Sequence, residues 1–230
     1  MRMHLFNQRE LSKSGYRWSG AWFDPPGSHD VMARGLAAAE EAGKRVALLT
    51  VVGHGSLVLA DGPSVDGVRL ASDPPGEAIE IWQGNQVVRI EKRSEGLVPV
   101  PRPGCDLTGV DFLIQLSCQV GRARQLGLQD VVSFHFNLST ARCRSVAAAL
   151  WSVDAEHAVN FVEMLTQDYL RLRSTAGKDG KSLSQSRIRA QALAAVRRAF
   201  ADELRTKGDA STAASGNLHT YAAFELFGNA

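Results

Sequence analysis

The fold is decided by residues 45–55, RVALLTVVGHG, in which an unbroken apolar run stops at Gly53-His54-Gly55. A run without polar alternation is typical of a parallel strand that is buried on both faces. A second run, VDFLIQLS at 110–117, ends directly before Cys118, and a third run, SVAAALW, occupies 145–151. The three runs predict the central strands of a mostly parallel sheet.

Stretches with helical periodicity separate and follow these strands. The predicted helices cover 29–42 (capped by Ser28 and ended by Gly43), 126–141, 155–173 (capped by Asp154) and 185–205, and a last strand covers 220–228. Strands that alternate with helices indicate an α/β fold, with helices on both faces of the sheet. A length of 230 residues suits one domain over 1–230, in which 1–44 form a short N-terminal strand and helix region.

The connector between the first two strands, residues 57–109, is long and rich in turn-forming residues. Within it, EAIEIW (77–82) and VVRIEK (87–92) flank a Gln-Gly-Asn-Gln turn and predict a β-hairpin insert. Three alternating prolines at 99–103 predict an extended connector after the hairpin. Long loops beside a site are commonly lids or switches, so we expect the connector to regulate access.

Composition excludes several classes of protein. Hydrophobic residues make up 44% and charged residues 22% of the chain, and the net charge is only +2, which predicts no strong field for nucleic acid. No apolar run is long enough to span a bilayer, and the first fifteen residues lack the apolar centre of a secretory signal. The three cysteines include no tight pair, which predicts a cytoplasmic protein without disulfides or a metal site.

One candidate function for an α/β fold of this kind is the binding of a small molecule. The chain contains neither G-x-G-x-x-G nor G-x-x-x-x-G-K-[ST], so a loop that would cradle phosphate is missing and no cofactor is expected. Basic residues cluster between 171 and 207. Such a cluster is more often a solvated surface than a nucleic-acid site, so any role for nucleic acid would be indirect.

His54 and Cys118 are the candidate catalytic residues. In open α/β sheets, functional groups gather just past the carboxyl ends of the strands, which is where both residues stand. A thiol is mostly protonated at neutral pH, so a thiol enzyme pairs it with an imidazole. Gly55 would let the backbone approach a substrate carbonyl, and the N–H groups of Gly55 and Cys118 would form an oxyanion hole. No carboxylate is placed to orient His54, which favours a dyad; structural packing of both residues is the alternative.

Four segments in order resemble the CHAT family, a group of caspase-like cysteine peptidases that is related to separase. They are Gly53-His54-Gly55, the Leu-Ser-Cys-Gln-Val-Gly turn at 116–121, the strand and helix start at 143–154 (CRSVAAALWSVD), and the closing HTYAAF at 219–224. The chain differs from the family pattern in having Gly53 where Thr is usual, Ser117 where Ala is common, and Ala155 where a second Asp is frequent.

The resemblance implies a caspase-like sandwich and a cysteine endopeptidase that cleaves a protein substrate. It also implies a regulated role in bacterial antiviral defence or cell death, with an activating partner or an upstream domain. Asp154 and Trp151 become substrate-pocket candidates, with Asp154 facing a basic side chain of the substrate. The alternatives are that Asp154 only caps its helix and that Trp151 packs in the core. A catalytically silent CHAT-type scaffold is the alternative function, but a scaffold has no need of His54 and Cys118.

Overall fold

The computed structural model describes residues 29–57, 65–70, 78–118, 123–125, 131–133, 138, 141–176, 183–207 and 219–228. Its helices are α1 (His29–Glu41), α2 (Ala155–Thr175) and α3 (Gln185–Lys207). Its strands are β1 (Leu49–Val52), β2 (His54–Leu57), β3 (Val65–Leu70), β4 (Ala78–Trp82), β5 (Gln86–Arg93), β6 (Gly96–Pro103), β7 (Leu113–Leu116), β8 (Ala123–Gln125), β9 (Val131–Ser133), β10 (Ser145–Ala149) and β11 (Phe224–Gly228). The chain divides into two compact units, one of residues 22–152 and one whose described part lies within 153–228.

A parallel sheet forms the centre of the first unit, and its strands β1, β7 and β10 lie side by side in that order. Leu49 is in register with Leu113, and Val52 with Leu116. Every residue of β7 and of β10 is buried, as their largely apolar sequences predicted. β1 is shorter than the predicted strand over 45–52, because upstream of Leu49 only a single bridge at Val46 joins it to the sheet.

Helix α1 confirms the helix predicted over 29–42. Gly43 has a φ of +63°, and its N–H donates to the carbonyl of Glu40. Glycine adopts this left-handed conformation without steric cost, so it ends the helix as expected. The Ser28 cap lies outside the described residues. At the other end of the helix, His29 and Met32 are buried.

A five-stranded antiparallel sheet of order β2-β3-β4-β5-β6 fills the interval that the sequence assigned to a connector. The predicted hairpin is confirmed by the pairing of β4 with β5, and Gly84 in its turn has a φ of +80°. Apolar side chains from β3, β4 and β5 are buried on this sheet: Val68, Ile81, Trp82, Val87 and Ile90.

The prediction of a connector after the hairpin is wrong, because that extended piece is strand β6. It pairs along its whole length with β5, with Pro99 opposite Ile90 and Pro101 opposite Val88. The prolines occupy alternate positions of a strand at the edge of the sheet. There the missing N–H groups point away from the neighbouring strand, and no ladder hydrogen bond is lost.

The helix predicted over 126–141 is also wrong in part. Val131–Ser133 forms β9, which pairs antiparallel with β8, so that Gln125 lies opposite Val131. Two adjacent β-branched residues favour a strand, and here this preference outweighs the helical spacing of the apolar residues. Leu138 and Ala141, two apolar residues of the predicted helix, are nonetheless buried.

The second unit contains α2, α3 and β11. Both helices bury apolar side chains, with Phe161, Leu165 and Tyr169 of α2 fully inaccessible. The strand predicted over 220–228 is correct only from Phe224, because residues 219–223 are helical. Phe224 stacks on Phe161 with ring centroids 4.2 Å apart, and this packing anchors the start of β11.

The described residues therefore form a mixed α/β fold with parallel and antiparallel sheets. Within the described ranges, no helix is both long enough and apolar enough to cross a bilayer.

Candidate active site

The chain passes from the parallel sheet to the antiparallel sheet at Gly53. The N–H of Gly53 donates to the carbonyl of Leu116 at 3.2 Å, which continues the β1–β7 ladder by one step. A Cβ at Gly53 would stand 2.6 Å from the carbonyl oxygen of Arg69 and 2.7 Å from a methyl carbon of Val68. A larger residue does not fit, so this geometry accounts for glycine at position 53.

Gly55 lies directly against the nucleophile candidate. A Cβ built at Gly55 would overlap the carbonyl oxygen of Cys118, and it would stand 3.2 Å from the amide nitrogen of the same residue. The two backbones are thus in van der Waals contact, with no room between them for a side chain. Only glycine allows this approach.

His54 and Cys118 therefore follow the carboxyl ends of two adjacent parallel strands. His54 is the first residue of β2, where its cross-strand partner is Arg69. Cys118 comes two residues after the end of β7 and is partly exposed. The side chain of His54 and the turn 119–121 lie outside the described part of the chain. The backbone brings both candidate residues to one edge of the parallel sheet, where a thiol and an imidazole could act together.

Sequence reasoning missed Gln115, a polar residue that is fully buried in the middle of β7. Its side-chain Nε2 donates to the carbonyl of Val51 on β1 at 3.2 Å and to the hydroxyl of Ser117 at 2.7 Å. A signal was present in the sequence, because glutamine interrupts the otherwise apolar run VDFLIQLS three residues before Cys118. Buried polar side chains in an apolar strand usually have a structural or functional reason.

Asp154 caps helix α2. One carboxylate oxygen accepts hydrogen bonds from the backbone N–H groups of Glu156 at 3.0 Å and His157 at 3.1 Å. These bonds, chiefly that from the His157 N–H, lower the pKa of the Asp154 carboxyl below its usual value. The side chain is 59% exposed, so it remains accessible to solvent. Trp151, the other substrate-pocket candidate, is half-buried.

The other two cysteines have different surroundings. Cys105 is only 5% exposed, and its burial, with a smaller effect of Asp30, raises its pKa to about 12. The thiol of Cys143 donates to the carbonyl of Ser145 at 3.5 Å. None of the three cysteines is in a disulfide. In the part of the chain that the structure describes, no group of three His, Cys, Asp or Glu side chains is arranged to hold a metal ion.

Three arginines of the second unit pair with nearby acids. Arg171 lies 2.7 Å from Asp168, and Arg197 lies 3.0 Å from Glu225. Arg205 approaches Asp202 at 3.4 Å. These exposed pairs are typical of a solvated surface and give no support to a nucleic-acid site.

Comparison with known proteins adds no further constraint on this site. Neither the models of known protein families nor the curated proteins gave a match to the chain.

Proposed function

We propose that this chain is a cysteine endopeptidase in which Cys118 is the nucleophile and His54 is its base. The observation that carries the proposal is the contact between the backbones of Gly55 and Cys118. This contact places the residue after His54 against the nucleophile candidate, at the edge of the sheet where α/β enzymes assemble their sites. The resemblance to the CHAT family supports the same assignment and extends it to a caspase-like sandwich.

The proposed reaction is hydrolysis of a peptide bond in a protein substrate. His54 takes the proton of the Cys118 thiol, and the sulfur attacks the carbonyl carbon. The amine leaves with a proton returned by His54, and water then hydrolyses the thioester. The backbone N–H groups of Gly55 and Cys118 are the proposed donors to the oxyanion.

Regulation and context follow from the resemblance. We propose that the peptidase acts in the cytoplasm in bacterial antiviral defence or cell death, and that a protein partner or an upstream domain activates it. Asp154, together with Trp151, is the proposed contact for a basic substrate side chain, in addition to the cap that Asp154 forms. No cofactor is part of the proposal.

The test is turnover of a fluorogenic peptide library by the wild-type chain and by Cys118→Ala, with and without the proteins encoded beside it. We expect Cys118→Ala to abolish turnover while the melting temperature stays within a few degrees. Cys143→Ser is the matched control, because it changes a partly buried thiol that has no assigned role and should retain turnover. Turnover that persists in Cys118→Ala would refute the assignment.

A further inference from the structure

The strand that leads to Cys118 carries an interaction that the proposed chemistry does not use. Gln115 is fully buried, and its side chain crosses from β7 to β1. The residue in register with Gln115 is Val51, whose carbonyl accepts one of its hydrogen bonds. The side-chain amide of Gln115 thus joins β1 and β7 close to their carboxyl ends, after which His54 and Cys118 follow.

The same amide also binds the residue that precedes the nucleophile candidate. Its second hydrogen bond goes to the hydroxyl of Ser117, at 2.7 Å. Ser117 is 3% exposed and is bonded directly to Cys118. The side-chain amide of Gln115 therefore connects β7 to the end of β1 and to Ser117, the residue before the thiol.

This arrangement has an energetic cost. Both hydrogen bonds use the Nε2 atom, and the buried Oε1 atom of Gln115 has no hydrogen-bond partner among the described residues. An unpaired buried acceptor destabilises a fold, and an apolar side chain of the same size would avoid the cost. Packing alone therefore does not account for glutamine at this position.

We propose that Gln115 is a positioning residue for Cys118 and that it acts through Ser117 and the backbone of Val51. This inference rests on the proposed function. Gln115 fixes the distance between the strand end that bears His54 and the turn that bears the thiol, and it takes no part in proton transfer or bond formation. Its cost in stability is the consequence of keeping the two strand ends in one arrangement.

The experiment uses the variant Gln115→Met/Ser117→Ala. It replaces both hydrogen-bonding side chains with apolar groups, so neither position retains a side-chain donor or acceptor that lacks its partner. We expect the melting temperature to stay the same or rise. With a peptide substrate, we expect kcat to fall at least about tenfold and KM to change less than about twofold, because binding is kept and positioning is lost. A residue with a merely structural role would lower the melting temperature and leave kcat unchanged.

A second readout needs no substrate turnover. The rate at which iodoacetamide alkylates Cys118 should fall about threefold in the double variant, because removal of the thiol proton by an imidazole depends on their relative position. Thr166→Val is the matched control: Thr166 of α2 is also fully buried, and within the described ranges its hydroxyl has no hydrogen-bond partner. This control should raise stability in the same way without changing the alkylation rate.

The two experiments distinguish a failure of the positioning role from a failure of the peptidase assignment. Wild-type kcat and a wild-type alkylation rate in the double variant would overturn the positioning role while the peptidase assignment stands. If Cys118→Ala retains turnover, the peptidase assignment fails, and the alkylation rate of Cys118 alone decides whether Gln115 positions the thiol. A slower rate supports the inference in that case, and an unchanged rate overturns it.

Discussion

The backbone of Gly55 lies against the backbone of Cys118, so that a single added carbon at Gly55 would overlap the carbonyl oxygen of Cys118. Sixty-odd residues of chain separate the two positions, and most of the interval is occupied by a separate antiparallel sheet. The contact is nonetheless direct, because β1 and β7 are parallel neighbours with Val52 opposite Leu116.

Gly55→Ala tests this contact. The methyl group has no room, so the turn at Cys118 must shift, and overpacking of this kind costs about 1–3 kcal/mol of unfolding free energy. We expect peptide turnover to fall about a hundredfold, because displacement of a nucleophile by about an ångström is enough for such a loss. Turnover and urea unfolding of the same preparation measure both effects.

Gly109→Ala is the control for that substitution. A Cβ at Gly109 would meet no atom within 4 Å, so the same chemical change should be tolerated there. Equal losses of activity in both variants would show that the effect at Gly55 is not specific to its contact with Cys118.

Burial of His29 predicts a pH dependence of stability. The ring is 5% exposed, and its Nδ1 lies 3.6 Å from a carboxylate oxygen of Asp30. Desolvation lowers the pKa of His29 below 6.5, although the nearby carboxylates of Asp30 and Glu80 oppose the shift and Arg102 adds to it. The unfolded chain therefore binds the proton more readily, so His29 makes the unfolding free energy fall as the pH drops from about 7 to below the folded-state pKa.

His29→Phe removes the titrating group and keeps a ring in the same space. We expect the loss of stability between pH 8 and pH 5 to be smaller in this variant than in the wild-type chain, as measured by urea unfolding at both values. The comparison at pH 8, where His29 is neutral in both states, gives the packing effect alone. An identical pH dependence in the two proteins would contradict the role assigned to His29.

The two roles of Asp154 can be separated by two substitutions. Asp154→Ala removes the acceptor for the Glu156 and His157 N–H groups, and loss of such a cap should lower the melting temperature by roughly 2–4 °C. Asp154→Asn keeps a good capping residue and removes the charge. Should this variant keep both its stability and its rates on basic and neutral peptides, the substrate-pocket role of Asp154 would be excluded and the capping role would remain.

Cys105 should be chemically inert in the folded protein. Its burial raises its pKa to about 12, so almost no thiolate is present at neutral pH. We expect iodoacetamide to modify Cys105 only through unfolding, with a rate that rises when urea is added, whereas Cys118 reacts in the native state. Mass spectrometry of tryptic peptides over time separates the thiols, and rapid native-state labelling of Cys105 would show that its burial is transient.

The central strands and most helices could be predicted because their signals are local and strong. The apolar runs that became β1, β7 and β10 are too continuous for exposed strands, and Asp154 stands at a position typical of a helix cap. Gly55 was predicted to let the backbone approach a substrate carbonyl, and the sequence did not indicate the contact that the structure shows between Gly55 and the backbone of Cys118.

The antiparallel sheet was harder to predict because β3 and β6 contain residues that are depleted in strands, namely Asp and Gly in β3 and three prolines in β6. The prolines of β6 were interpreted as part of an extended connector, and the position of β6 at the sheet edge makes them compatible with a strand. Gln115 was overlooked because one of its partners, Val51, lies on another strand, and the sequence alone does not show that the two residues meet.

Covalent capture by a peptidyl chloromethyl ketone library tests the central claim most directly, because the reagent requires both a substrate groove and an activated thiol. We expect one adduct per chain, located at Cys118 by mass spectrometry. We also expect the rate of adduct formation to fall at least about a hundredfold in His54→Ala. Adducts distributed over Cys105, Cys118 and Cys143, or a rate at Cys118 that His54→Ala leaves unchanged, would contradict it.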